Sequence, residues 1–187
     1  MTKTFISAIL AGLMISLGSI AYLNEPSIFG CLLFSVGLLA ILDCQLDLFT
    51  GKVSYITSYK EFPYILIVLL GNILGCSVLV AFPSAVAKQL ITDMLKVSMF
   101  YILIESILCN ILIYIAVEAH NKHNIFVTVL SVTAFVASGL RHSIATICMT
   151  ISARMFSLQI LGYLLLIILG NAIGGITFHY FRMRCSK

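Results

Sequence analysis

Two copies of one short motif decide the fold of this chain: residues 70–75 read LGNILG, and residues 169–175 read LGNAIGG. Each copy lies in a long apolar stretch and follows an apolar run that polar residues interrupt. The first interruption is LFTG at residues 48–51, and the second is LRHS at residues 140–143. Each half therefore reads as a plain helix, a broken helix and a helix with the LGN-x-x-G motif, which predicts an internal repeat.

The composition is typical of an integral membrane protein. Of the 187 residues, 61% are hydrophobic and 10% are charged, and the mean hydropathy is +1.12. Soluble domains carry about 25% charged residues. The net charge of +4 is spread over short loops without a basic stripe between aromatic residues, so a nucleic-acid partner is not expected. The six cysteines have no metal-like spacing and are expected to pack as small apolar side chains.

The apolar stretches predict an all-α fold of six membrane spans, because a bilayer core of ~30 Å needs roughly twenty apolar residues per helix. The predicted spans cover residues 5–22, 28–48, 64–82, 98–117, 125–140 and 157–181, and the fifth continues after its break through residues 144–151. The first span resembles a signal peptide, but the repeat requires it to be retained. No long linker divides the chain, which predicts one channel domain over residues 1–187.

Three spans in each repeat (about residues 1–85 and 96–187) require the two copies to have opposite membrane topology. Inverted repeats with discontinuous helices build transport sites near the membrane midplane. An even number of spans also places both termini on one side. That side carries Lys3, Lys52, Lys60, Lys122, Arg182, Arg184 and Lys187, whereas the other carries Lys88, Lys96 and Arg154. The positive-inside rule then predicts cytoplasmic termini, in the plasma or inner membrane.

Ionisable residues inside predicted spans are candidate functional residues, because they are costly in lipid. Asp43 and Asp47 are four residues apart, which predicts one shared helical face. For Asp43 and Glu105 we favour a structural interpretation, because a buried charge requires a partner such as Arg141. His142 lies at the second break, and its unperturbed pKa of ~6.5 suits it to pass a proton near neutral pH. We therefore predict a functional role for His142.

Thr50 is the matching polar residue of the first half. The next residue, Gly51, can adopt a positive φ angle and so let the backbone leave the helix. Irregular backbone at membrane depth persists only when it is buried in protein or lines a pore. We therefore expect the two breaks to face each other and to bring Thr50 and His142 together.

Five segments resemble the signature segments of the formate/nitrite transporter family, and they occur in the family's order across all six predicted spans. They are LFTG at 48–51, LGN at 70–72, LCN at 108–110, GLRHS at 139–143 with Ala145, and LGNAIGG at 169–175. The resemblance implies an aquaporin-like protomer that assembles as a homopentamer, with one pore through each subunit. Contact with membrane lipid is expected independently, because the excess of apolar surface must face lipid.

The resemblance also implies the pore residues. His142 resembles the central histidine of the family, and Thr50 resembles its partner in the interrupted second helix. Asp47 stands where the family usually has Glu. The implied constrictions are Leu38, Leu48 and Phe49 on one side and Phe34 and Phe135 on the other, and the implied polar or buried-charge positions include Asn72, Asn110 and Asn171.

A second position departs from the family pattern. The residue before the central histidine is normally acidic and neutralises a basic residue of the fourth helix, but here it is Arg141. The fourth predicted span carries Glu105 instead. The hypothesis is that Arg141 and Glu105 form one buried ion pair in which the acid and the base have exchanged places relative to the family.

These observations predict a channel for small monovalent anions or their weak acids, such as formate, nitrite or hydrosulfide. An isolated carboxylate in a medium of low dielectric costs tens of kcal/mol, so the anion is expected to gain a proton between the constrictions, near Thr50 and His142. One alternative is a channel for water, ammonia or ammonium, in which Asp43 and Asp47 would face the pore. Another is a membrane scaffold without transport.

An enzyme is not expected. The sequence has no nucleophile–base pair, no glycine-rich phosphate loop and no metal-ligand cluster, so neither catalytic residues nor a metal or cofactor are predicted.

Overall fold

The computed structural model describes residues 1–185, so Lys187 of the predicted basic side lies outside the described residues. The described chain forms helices and connecting loops. The helices are α1 (Thr2–Asn24), α2 (Ile28–Asp43), α3 (Phe49–Val53), α4 (Phe62–Cys76), α5 (Ala85–Met94), α6 (Met99–Asn121), α7 (Ile125–Ala137), α8 (Ser143–Ala153) and α9 (Leu158–Cys185), with short 3₁₀ helices at Tyr59–Glu61 and Ser77–Ala81.

Four helical stretches are long and apolar enough to cross a membrane: Thr2–Asn24, Tyr59–Ala81, Met99–Asn121 and Leu158–Cys185. The shorter apolar helices α2, α7 and α8 occupy the second and fifth predicted spans. Many large apolar side chains of these helices are exposed, as expected for surfaces that face lipid or another subunit. The chain is a helical membrane protein.

The glycines of the two LGN-x-x-G motifs bring pairs of helices into close contact. A Cβ on Gly75 of α4 would collide with the carbonyl oxygen of Ile9 in α1, and a Cβ on Gly174 of α9 would collide with that of Ile107 in α6. Small residues allow membrane helices to approach at backbone distance. The motif therefore fixes α1 against α4 and α6 against α9, and each pair runs parallel.

The ends of the helices define two faces. Asp43 at the end of α2 lies 3.6 Å from His120 at the end of α6, and Arg182 of α9 donates to Glu118 of α6. Ser7 near the start of α1 accepts a hydrogen bond from the Asp47 backbone N–H. The start of α1 and the end of α9 therefore share one face, here called the terminal face; the other is called the opposite face.

The first break differs from the prediction in its position and cause. α2 ends at Asp43, and the chain turns back before α3 begins, so Thr50 and Gly51 lie inside a helix. Gly51 does not have a positive φ angle; Gln45 does, at 54°. The Leu46 N–H bonds to the Ile41 carbonyl across this residue, which closes the helix in a Schellman motif. The prediction that Gly51 breaks the helix was wrong.

The second break uses the same closure. Gly139 has a φ of 68°, and the Leu140 N–H bonds to the Phe135 carbonyl at the end of α7. In both halves a residue in the left-handed region therefore ends the helix just before the polar segment.

Two further predictions need correction. Asp43 and Asp47 do not share a helical face, because α2 ends at Asp43 and Asp47 lies in the break. The predicted connection over residues 83–96 contains the amphipathic helix α5, whose Ala87, Ile91 and Met94 are buried against the bundle. The apolar face of α5 is short, so the sequence pattern of this helix is hard to recognise beside the longer apolar stretches.

Candidate functional site

The two asparagines of the LGN motifs anchor the breaks. Oδ1 of Asn72 accepts the Phe49 N–H at 2.8 Å, at the start of α3. Its Nδ2 donates to the carbonyl of Ala8 at 2.8 Å and to that of Asp47 at 2.9 Å. The bonds to Phe49 and Asp47 satisfy backbone groups of the break, and the bond to the Ala8 carbonyl ties Asn72 to α1. Asn72 is fully buried and holds the first break between α1 and α4.

Asn171 makes the equivalent bonds in the second half. Its Oδ1 accepts the Ser143 N–H at 2.8 Å, and its Nδ2 donates to the carbonyls of Ser106 at 2.8 Å and Arg141 at 2.9 Å. This hydrogen-bond register pairs Leu48 with His142 as the residues that precede α3 and α8. By position in the break, Leu48 rather than Thr50 is the counterpart of His142.

Thr50 and His142 meet in the interior, as predicted. Thr50 Oγ1 lies 3.0 Å from His142 Nε2, and both side chains are buried. His142 also caps α8, because its Nδ1 accepts the Ala145 N–H at 3.1 Å. A backbone N–H can only donate, so the neutral imidazole carries its proton on Nε2 and donates it to Thr50. The cap therefore fixes the tautomer.

Asn110 attaches α3 to α6. Its Nδ2 lies 3.2 Å from both the Thr50 carbonyl and Ser54 Oγ. Its Oδ1 is buried and has no hydrogen-bond partner within residues 1–185. Asn110 thus supports the backbone of Thr50 directly and keeps one acceptor unused.

One cavity opens on the terminal-face side of this contact, with a volume of about 270 Å³. Leu38 and Leu48 of the predicted constriction line it, whereas Phe49 is buried and does not. We call this the terminal cavity; its lining is Leu38, Ile41, Leu42, Gln45, Leu46, Leu48, Gly51, Lys52, Tyr55, Val117 and Asn121.

A second cavity, of about 60 Å³, lies on the other side of His142. Phe34 and Phe135 line it and meet edge to face with ring centroids 5.9 Å apart, and Phe135 stacks on the His142 ring at 5.6 Å. We call this the opposite cavity; its lining is Tyr22, Phe34, Leu90, Phe135, Val136, Gly139, Leu140, Arg141, His142, Ala145, Thr146 and Met149.

Each cavity has a cation of an ion pair in its lining. Lys52 Nζ lies 3.2 Å from Asp47 Oδ1, and Arg141 Nε lies 3.0 Å from Glu105 Oε2. The predicted pairing of Arg141 with Glu105 is therefore confirmed. Neither carboxylate lines a cavity, and Asp43 is 70% exposed at the terminal face.

Sequence reasoning missed two aromatic residues of the lining. Tyr22 lies in the last turn of α1 and lines the opposite cavity, and Tyr55 follows α3 and lines the terminal cavity. Neither tyrosine lies in a motif, and their positions follow from helix packing.

Over residues 1–185 no group of three His, Cys, Asp or Glu side chains is arranged to hold a metal.

The comparisons with known proteins agree with this architecture. A solved structure described as a pentameric formate channel with formate bound superposes with a TM-score of 0.85 at 21% identity, over 100% of this chain and 98% of that chain. A second, described as an FNT family ion channel, gives a TM-score of 0.89 at 19% identity, over 100% and 90%. No curated protein sequence matches significantly. The family model of the formate/nitrite transporters matches residues 1–183, and the chain therefore belongs to the formate/nitrite transporter family.

Proposed function

We propose that this protein is a channel or transporter for small monovalent anions and their weak acids, of the formate, nitrite and hydrosulfide type. The observation that carries the proposal is the buried Thr50–His142 hydrogen bond, which joins the segment that walls the terminal cavity to the half-helix that walls the opposite cavity. Membership of the family supports it, and so does the fold of a channel solved with formate bound.

The apolar side chains between the cavities set the physical problem. Leu38 and Leu48 on one side and Phe34 and Phe135 on the other are the proposed constrictions, and all four are nearly fully buried. A bare carboxylate in a medium of ε ≈ 4 loses tens of kcal/mol of solvation, so passage requires neutralisation. The anion gains a proton near His142 and crosses as the neutral acid.

The route of that proton is constrained by the cap on α8. The nitrogen of neutral His142 that lacks a proton is Nδ1, and it accepts the Ala145 N–H. A proton taken up at Nδ1 must displace this bond, after which Nε2 is able to release its own proton through the Thr50 hydroxyl to the anion. The ring then carries its proton on Nδ1, and it caps α8 again only after that proton has returned to Nε2. Proton transfer at His142 is therefore coupled to breaking and remaking the first turn of α8.

The architecture that we propose has one domain over residues 1–187, with six spans in two inverted repeats and an aquaporin-like protomer. The matching bonds of Asn72 and Asn171 support the repeat. We further propose a homopentamer, as the solved formate channel is pentameric. The terminal face is cytoplasmic in the plasma or inner membrane, because it carries the larger share of Lys and Arg.

The alternative of an ammonium channel requires carboxylates in the pore. Asp43 is exposed at the terminal face, and Asp47 is bound to Lys52 and to the Tyr64 hydroxyl. Neither lines a cavity, so these contacts favour anions over cations.

Uptake into proteoliposomes tests the proposal. Purified protein should carry formate and nitrite down their gradients, with a proton taken up for each anion, and should not carry ammonium. The flux should rise as external pH falls, and His142→Ala should flatten this dependence. Flux of ammonium but not of formate would contradict the proposed substrate, and unchanged transport in His142→Ala at every pH would remove the proton step.

A further inference from the structure

We propose that Arg141 forms a second anion-binding subsite in the opposite cavity, separate from the Thr50–His142 contact. Its guanidinium selects planar anions with two oxygen atoms, such as formate and nitrite, over hydrosulfide. This inference rests on the proposed transport of small anions and adds which of them the protein prefers.

The ion pair with Glu105 orients the guanidinium but does not use all of it. Nε of Arg141 donates to Glu105 at 3.0 Å, while Nη1 and Nη2 have no hydrogen-bond partner within residues 1–185. The Arg141 carbonyl is held by Asn171, so the backbone is fixed as well. A planar guanidinium with two unused terminal nitrogens fits two oxygens of one anion at once.

Of the two residues in this ion pair, the cation Arg141 lines the opposite cavity and the acid Glu105 does not. Arg141 is the charged residue among those that line the opposite cavity, and Glu105 projects from α6 outside that lining. Tyr22 lines the same cavity. Because His142 lines the same cavity as Arg141, an anion bound there is next to the central contact.

The first half lacks an equivalent of this group. Asp47 occupies the corresponding position of the break, since Asn72 binds its carbonyl as Asn171 binds that of Arg141. The cation of the terminal cavity is Lys52, an ammonium that acts as a point charge and has no fixed pair of donors. Discrimination by shape is therefore expected at the opposite cavity.

Arg141→Lys tests the donor geometry, because it keeps the charge and removes the paired donors. In proteoliposomes, with hydrosulfide flux corrected for leakage into protein-free vesicles, the ratio of formate to hydrosulfide flux should fall about tenfold, as the loss of one charge-assisted hydrogen bond predicts. Lys52→Arg makes the converse substitution in the terminal cavity and serves as the control for replacing one basic side chain by another outside the subsite. An unchanged ratio in Arg141→Lys would overturn the subsite.

The double reversal E105R/R141E separates recognition from folding. It retains an ion pair with the polarity usual in the family and removes the guanidinium from the cavity wall, so the variant should assemble and carry anions while its ratio of formate to hydrosulfide flux falls about tenfold, as in Arg141→Lys. An assembled double variant with an unaltered ratio of formate to hydrosulfide flux would also overturn the subsite. Wild-type protein that carries no anion at all would refute the proposed function instead, whereas wild-type flux with an unaltered ratio in Arg141→Lys refutes the subsite alone.

Discussion

The two breaks of this protein share one backbone design and differ in chemistry. At each, a residue with positive φ, Gln45 or Gly139, closes a helix, and an LGN asparagine binds the start of the next one. The residue at the cap position is Leu48 in the first half and His142 in the second. The comparison teaches that the asparagine motif fixes the path of the chain, while the cap residue decides what the break does.

The halves also differ in how the short helices are supported. α3 has five residues and lies against α6 and α9, where Gly175 leaves room for Ser54 and Asn110 binds the Thr50 carbonyl. α8 has eleven residues and packs against α5, which has no counterpart in the first half. Each break therefore depends in part on the other half of the chain, since α8 also packs against α1 and α4, and the second break has α5 as an additional support.

The largest effect is expected at the asparagines. Asn72→Leu and Asn171→Leu each remove three hydrogen bonds and leave two backbone groups of the break unpaired, at about 1–3 kcal/mol for each group. Each variant should lose at least about 2 kcal/mol of stability. Thermal unfolding and size exclusion in detergent measure this loss. If one variant collapses and the other keeps its melting temperature, the breaks are not equivalent anchors.

A smaller and symmetrical loss is expected at the helix contacts. Gly75→Ala and Gly174→Ala each force a Cβ against a backbone carbonyl, which should cost about 1–3 kcal/mol. Gly162→Ala in α9 is the matched control, because a Cβ there meets no atom within 4 Å. The same melting assay applies, and a destabilised control would mean that alanine in these helices, rather than the contact, causes the loss.

Two substitutions of His142 separate its two contacts. His142→Asn keeps an acceptor for the Ala145 N–H but has a side chain too short to reach Thr50. His142→Gln reaches toward Thr50 but loses the cap of α8, which should cost about 1 kcal/mol of stability. Because neither side chain titrates near neutral pH, both variants should lose the rise of formate flux at low pH. Should Gln retain that rise, His142 acts as a hydrogen-bond donor and not as a proton carrier.

The smallest effect is expected at Asp43. Its contact with His120 is exposed at the terminal face, so Asp43→Asn should change stability by less than about 1 kcal/mol. Formate flux should also stay near the wild-type rate. A large change in ion selectivity would mean that the end of α2 borders the pore and would revive the cation alternative.

Much of the site was predictable because its residues stand in a repeated pattern. The meeting of Thr50 with His142 followed from two breaks that had to face each other, and the Arg141–Glu105 pair followed from the cost of a buried charge. The left-handed residue Gln45 was not predictable, because a glutamine gives no signal for positive φ. Gly51 suggested a positive φ angle that it does not have, because glycine is also tolerated inside helices.

The sequence by itself determined that the chain is a membrane protein, since its apolar fraction leaves too little polar surface for water. It also determined the two anchoring motifs, because asparagine beside glycine in a long apolar helix satisfies a broken backbone and permits close contact. Only the tertiary structure decided the register between the halves, the tautomer of His142 and which member of each ion pair lines a cavity. These features depend on contacts between α3 and α8, which are far apart in the sequence, and no local sequence pattern encodes such contacts.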